Sequence, residues 1–317
     1  MQSRNPYLLS LGRLEFSVTY ACTSDCAHCS VGKIRNAEHI DRDTAVEAVR
    51  EAVRYGTLES VMTFGGEPLL YAETVCAIHA EATRLGVGSR QIITNGVFSR
   101  DERRIRTVAA ALADAGVNCV LLSVDAFHAA CIPVDIQILF ARALLDAGIQ
   151  PRLHPAWLVS SLDDNLYNVE THRCLARFSV LRLPMTYGNI ISPAGNAKTR
   201  LREYFPEQHP DMNFRCGDAQ YTSRLDAVDC LSIDPNGDVI ACAFPIGNLY
   251  RASLSEIITQ YDPHANPLSH ALLDGGITAL QRFAESRGLV IDQETCTSAC
   301  DLCHTIAEAY RKKGDVL

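Results

Sequence analysis

Leu14-Glu15-Phe16-Ser17-Val18-Thr19-Tyr20-Ala21-Cys22-Thr23-Ser24-Asp25-Cys26-Ala27-His28-Cys29 decides how the rest of the chain is read. Residues 14–20 alternate apolar and polar side chains, the period of a half-buried strand. The strand runs directly into Cys22, Cys26 and Cys29, three cysteines within eight residues. Three thiolates on one loop can hold a cubane iron–sulfur cluster and leave its fourth iron open to an outside ligand. A structural zinc site is the alternative, although zinc favours four ligands and two-residue gaps within its pairs.

Downstream of this loop the pattern repeats. Asp41 can cap a helix that shows Val46, Val49 and Val53 on one face and stops at Gly56. Strands are expected near 60–64, 91–94, 119–124, 152–159 and 180–187. The intervening helices carry Val75, Ile78, Ala82 and Leu85, then Ile105, Val108 and Leu112, then Ile138, Ala141 and Leu145. Strands that alternate with helices build a parallel sheet. Six such units fall short of the eight of a closed barrel, so the expected fold is α/β, a partial (β/α)6 TIM-like barrel over residues 1–195. After Ile191-Ser192-Pro193-Ala194-Gly195-Asn196 the chain becomes loop-rich and cysteine-bearing, and residues 196–317 are expected to form a small second domain. There Leu231–Ile233 and Val239–Ala241 flank Asp234-Pro235-Asn236-Gly237-Asp238, a hairpin turn. Pairing Asp234 with Asp238 sets Cys230 opposite Cys242. Opposed Cβ atoms lie about 4.5–5.5 Å apart, which suits two ligands of one metal centre or, alternatively, a disulfide.

A formal net charge of −8 opposes a sequence-independent grip on nucleic acid, which needs a basic stripe. No apolar run reaches the length of a membrane span, and the first residues lack a secretory cleavage pattern, so a cytoplasmic protein is expected. In a reducing compartment the 13 cysteines read as metal thiolates before they read as a disulfide framework. Cys76, Cys119, Cys131 and Cys174 have no partner at metal spacing and read as inert thiols.

A cysteine triplet with three- and two-residue gaps after a first strand resembles the signature of the radical S-adenosylmethionine (radical SAM) superfamily. Gly65-Gly66-Glu67-Pro68 after the second strand resembles the family's glycine-rich turn, which meets the amino group of S-adenosylmethionine. Thr94-Asn95-Gly96 and Ser123-Val124-Asp125 resemble the positions near the carboxylate and ribose of that cofactor. His28 stands where family members often place an aromatic against the adenine; an exposed histidine is the other reading. Asn196 stands where an arginine is common.

In the second half, Cys230, Cys242, Cys296, Cys300 and Cys303 resemble the superfamily's auxiliary-cluster appendices, SPASM or the shorter, one-cluster Twitch. The expected auxiliary ligands are Cys230, Cys242, Cys300 and Cys303, with Cys296 and Cys216 in reserve and Cys230 also a candidate hydrogen-atom donor. The resemblance implies a [4Fe–4S] cluster on Cys22, Cys26 and Cys29, S-adenosylmethionine, one auxiliary [4Fe–4S] cluster and a flavodoxin- or ferredoxin-type reductant. It implies reductive cleavage to a 5′-deoxyadenosyl radical that abstracts a substrate hydrogen. The substrate is expected to be a ribosomally made peptide that is crosslinked or epimerised. A small-molecule dehydrogenase and a non-catalytic electron-transfer protein are the alternatives. Only 21 residues precede Cys22, which leaves no room there for the peptide-binding domain often fused ahead of the barrel.

Overall fold

The computed structural model describes residues 4–32, 36–205, 209–218 and 222–312. Five strands, β1 (Arg13–Thr19), β2 (Ser60–Gly65), β3 (Ser89–Thr94), β4 (Cys119–Ser123) and β5 (Arg152–His154), lie side by side in chain order, all parallel. They are joined by α1 (Arg42–Tyr55), α2 (Ala72–Arg84), α3 (Glu102–Asp114), and α4 (Ala126–Ala129) with α5 (Val134–Asp146). The sixth unit is shorter and later than the sequence suggests. Beyond β6 (Ala156–Trp157) and α6 (Leu166–Ala176), β7 (Asn189–Ile190) pairs with β6, and Leu153 bridges Met185. Val180 sits instead in a short 3-10 turn, exposed to solvent. The architecture is therefore a partial, open barrel.

The helices cover the sheet through their small residues. Asp41 caps α1 by accepting from the Thr44 N–H at 2.8 Å, and the buried face is Ala45, Ala48, Val49 and Ala52. Valines 46 and 53, expected on that face, are only partly buried. Alanine permits a closer approach of helix to sheet than valine does. On α5 the buried face likewise turns to Gln137, Phe140, Ala141 and Leu144.

The second half departs most from expectation. β8 (Cys230–Ile233) adds to the free edge of β1 in parallel, with β9 (Asp238–Ala241) and β10 (Phe244–Asn248) following antiparallel. The order is β10-β9-β8-β1-β2-β3-β4-β5, so the hairpin extends the barrel sheet and forms no sheet of its own. α7 (Ala197–Arg200), α8 (Leu254–Gln260), α9 (Pro267–Ser286, kinked at Gly275 and Gly276) and α10 (Ala299–Lys312) complete the chain. Among the described residues no helix is long and apolar enough to cross a membrane.

His79 on α2 is fully buried, with Nε2 2.9 Å from the Thr63 hydroxyl and Nδ1 without a partner. Burial lowers its pKa to about 3, so the folded state holds it neutral while the unfolded chain takes up a proton below about 6.5. Its contribution to stability is full above pH 6.5 and falls as the pH drops toward 3. We expect it to cost about 2 kcal/mol between pH 7 and pH 5. Urea midpoints of the parent and of His79→Gln at both pH values check this: the variant should lose less stability on acidification.

Candidate active site

Cys22, Cys26 and Cys29 follow the C-terminal end of β1 and line a cavity of about 770 Å³. Ser24, itself buried, stands between two of them, its hydroxyl 3.3 Å from the Cys22 sulfur and 3.4 Å from that of Cys26. Burial pushes both thiols above their ordinary pKa. Without metal they stay protonated, and a bound cluster must displace those protons. Three sulfurs facing one cavity from one loop are a donor set suited to a cubane.

The cavity floor is made of strand ends. Gly66 N–H donates to Thr19 O at 2.7 Å and Glu67 N–H to Ala21 O at 2.8 Å, which sews the turn after β2 to the cysteine loop. Gly65 has φ +130°, and a Cβ on Gly66 would lie 2.1 Å from Ala21 O. The glycines are needed for this contact between two backbones. Glu67 has no exposed surface. Its carboxylate accepts from Thr94 Oγ1 at 2.7 Å, Asn95 N–H at 2.9 Å and Leu69 N–H at 3.0 Å. Burial raises its pKa to about 6. Glu67 and Pro68 therefore fasten the turn from behind, and the Gly65–Gly66 backbone faces the cavity.

Asn95, Ser123 and Asp125 all reach the cavity wall. The Asn95 amide donates to Thr23 Oγ1 at 3.2 Å and points at the Cys22 sulfur at 3.7 Å. Asp125 is 1% exposed and is the N-cap of α4. It accepts from Phe127 N–H and His128 N–H, from His128 Nδ1 at 2.9 Å, and from Ala156 N–H at 3.2 Å. Burial alone would raise its pKa, but the His128 ring, the His28 ring and the His128 N–H together outweigh this and hold it at about 2. With so many donors already met, Asp125 shapes the wall first. His28 is half-buried, its ring 4.9 Å from those of Phe127 and His128. Its Nδ1 is buried without a partner, and burial lowers its pKa to about 4. A neutral ring with one unmet nitrogen fits a ligand in the cavity better than a solvent-exposed side chain.

Three further residues contribute to the site, and the first of them, Gln137, was not anticipated. Gln137, 1% exposed on α5, donates to Asn95 O at 2.8 Å and Ser123 O at 2.7 Å, pinning the ends of β3 and β4 together. A glutamine inside the apolar run Ile136–Phe140 was the available signal. His154 faces the cavity between Thr186 Oγ1 at 2.7 Å and Asn189 Nδ2 at 3.0 Å. Asn196 takes a backbone role in place of the usual arginine. Its N–H donates to Cys29 O at 2.9 Å and its amide to Cys26 O at 3.0 Å. Two residues on, Lys198 pairs with Asp301 of α10 at 2.8 Å.

Asp301 adjoins a second group of cysteines. Cys216, Cys242, Cys300 and Cys303 line one small apolar cavity with Leu225, Phe244 and Leu272. Cys300 and Cys303, one turn apart on α10, present neighbouring side chains. Burial, and next the nearby Cys216 and Cys300, push Cys242 up to about 11. Cys230 and Cys296 do not line this cavity. Cys230 pairs in register with Arg13 at the opposite end of β1 from the cysteine loop, and burial pushes it up to about 12. Cys296 is buried, 3.9 Å from Thr305 Oγ1 of α10. The expected register does hold, with Ser232 opposite Ile240 and Ile233 opposite Val239. But Cys242 has φ +54°, in the tight turn from β9 to β10, and leaves the ladder before it can face Cys230. Cys230 is also about 20 Å of strand below the cysteine loop, too far to hand a hydrogen atom to a substrate there.

Residues 16–143 match the family model of the Radical SAM superfamily. Among solved structures the chain is similar to Streptococcus suis SuiB bound to precursor peptide SuiA. The TM-score is 0.53 at 15% identity, over 83% of this chain and 66% of SuiB. It is also similar to the same protein bound to S-adenosylmethionine, with TM-score 0.51 at 16% identity, over 91% of this chain and 72% of that one. The likeness is one of fold, and this chain spans about two thirds of the SuiB chain in the first of them. No curated protein matches the chain.

Proposed function

From the radical SAM domain that the chain carries over residues 16–143, we propose an enzyme that cleaves S-adenosylmethionine reductively and modifies a peptide. The carrying observation is the convergence of Cys22, Cys26 and Cys29 with the Gly65–Gly66 turn, Asn95 and Ser123 on one cavity. When bound, a [4Fe–4S] cluster with S-adenosylmethionine supplies a 5′-deoxyadenosyl radical for hydrogen abstraction, and a second cluster supplies an electron acceptor. The three loop thiolates hold the first. The Gly65–Gly66 backbone, Asn95, Ser123 and the neutral His28 ring bind and orient the cofactor. The functional division falls at residue 195, residues 196–317 forming the Twitch-like half.

Cys216, Cys242, Cys300 and Cys303 are the ligands of the second cluster in this reading. Cys242 supports it doubly, because a non-glycine residue in the left-handed region costs about 1–2 kcal/mol, which a required thiolate explains. We expect Cys216→Ala to lower iron content by about four per chain and Cys230→Ala to leave it unchanged. Iron analysis of the two anaerobically reconstituted variants decides between the ligand sets.

Two observations favour a peptide. SuiB was crystallised with a precursor peptide. Among the described residues β7 pairs with β6 alone, and its residues Asn189 and Ile190 line the cavity, so an extended chain can add to that edge at the mouth. Anaerobic reduction with S-adenosylmethionine should yield 5′-deoxyadenosine and methionine; their absence overturns the enzyme. Co-expression with short peptides encoded beside the gene, read by mass spectrometry, tests the substrate. A crosslink removes a pair of hydrogens, and epimerisation in heavy water adds a deuterium. If no flanking peptide changes, the peptide reading gives way to a small molecule.

A further inference from the structure

Outside both cysteine sites, the corner that leads into α9 carries a third group of ligand atoms. His270 and Asp274 are one helical turn apart on α9, which places them on one face. His264 precedes the helix on a corner that is tightly specified. Asp262 Oδ1 accepts from His264 N–H at 2.9 Å. Asn266 caps α9 by accepting from Leu268 N–H at 2.9 Å, and the Ser269 hydroxyl donates back to Pro263 O. These bonds hold the His264 ring against that of His270, with Nδ1 to Nδ1 at 3.2 Å. His270 Nε2 lies 3.2 Å from Asp274 Oδ2. One donor atom from each residue falls within 4.8 Å of the other two.

We propose that His264, His270 and Asp274 form a surface site for a divalent zinc-class cation, distinct from both iron sites. Two imidazoles and one carboxylate select late transition metals over magnesium or calcium, which prefer all-oxygen shells. Zinc–nitrogen bonds of about 2.0–2.1 Å put tetrahedral ligand atoms roughly 3.3 Å apart, close to the spacing found between the rings. His270 can give a single ion only one nitrogen, so binding replaces one of its two present contacts and leaves its other nitrogen to a hydrogen bond. All three side chains are exposed, so an ion can reach them from solvent. Water completes the shell. The ion fastens the corner to α9. Tyr261, at the start of that corner, donates its hydroxyl to Leu225 O at 2.7 Å, on the wall of the Cys216–Cys303 cavity.

The test uses untagged, iron-loaded protein titrated anaerobically with zinc against a chromophoric chelator, with zinc and iron counted in the same sample. We expect one zinc per chain at unchanged iron. The double variant His264→Asn/His270→Asn should bind at least about tenfold more weakly, with Asp274→Asn in between. Equal iron content in parent and variants verifies that each is folded. Zinc retained equally by parent and double variant overturns the site. Zinc uptake matched by iron loss overturns it too, because the zinc has then gone to the cysteines.

Discussion

Anaerobically reconstituted protein with Cys22, Cys26 and Cys29 all replaced by alanine is expected to hold about four irons per chain, against about eight in the parent, and to form no 5′-deoxyadenosine. The three residues sit on one loop and share one cavity, so removing them together deletes one donor set. The remaining iron should stay because Cys216, Cys242, Cys300 and Cys303 come from other segments of the chain. The reverse variant, Cys300→Ser/Cys303→Ser, should keep about four irons and still cleave S-adenosylmethionine at a measurable rate. Deoxyadenosine from the triple variant would sink the assignment of the active site, and eight irons in the reverse variant would sink the second centre.

The second large effect is expected from a single methyl group. In Gly66→Ala the added Cβ meets Ala21 O at 2.1 Å, Ala21 C at 2.7 Å and Tyr20 C at 2.9 Å. All three are backbone atoms of the segment that leads into Cys22, and no side-chain rotation relieves them. The hydrogen bonds from Gly66 to Thr19 and from Glu67 to Ala21 must stretch or break. The hydrophobic core is anchored within the strands by residues such as Leu14, Phe16 and Val61, so the fold should persist. We expect the affinity for S-adenosylmethionine, measured by calorimetry on reconstituted protein, to fall by at least about a hundredfold, or roughly 2.7 kcal/mol. Gly56→Ala is the control, since a Cβ there meets nothing within 4 Å. Parent-like affinity in Gly66→Ala would show that the turn does not build the cofactor site.

The first half of the chain was legible because its signals are local. The alternation in residues 14–20, the caps and the helical periodicities each depend on neighbours a few positions away. The strand ends they define carry Cys22, Gly66, Asn95 and Ser123 to one edge of a parallel sheet. Asp125 lines the cavity and Glu67 lies behind it, and where each sits turns on hydrogen bonds to Thr94, Asn95 and Ala156, partners 27 to 31 residues away in sequence. His28 could be read two ways until its neighbours Phe127 and His128 were placed.

The sequence by itself determined a strand–loop–helix series, a three-cysteine loop at its head and a cysteine-bearing hairpin in its second half. Tertiary structure alone decided which cysteines meet. The register that sets Cys230 opposite Cys242 is local and was legible, but the left-handed turn at Cys242 and the docking of β8 against β1 send the two thiols to different places. Cys216 joins Cys242, Cys300 and Cys303 across separations of 26 to 87 residues. Such contacts follow from how elements pack around a shared core, and spacing along the chain does not encode them.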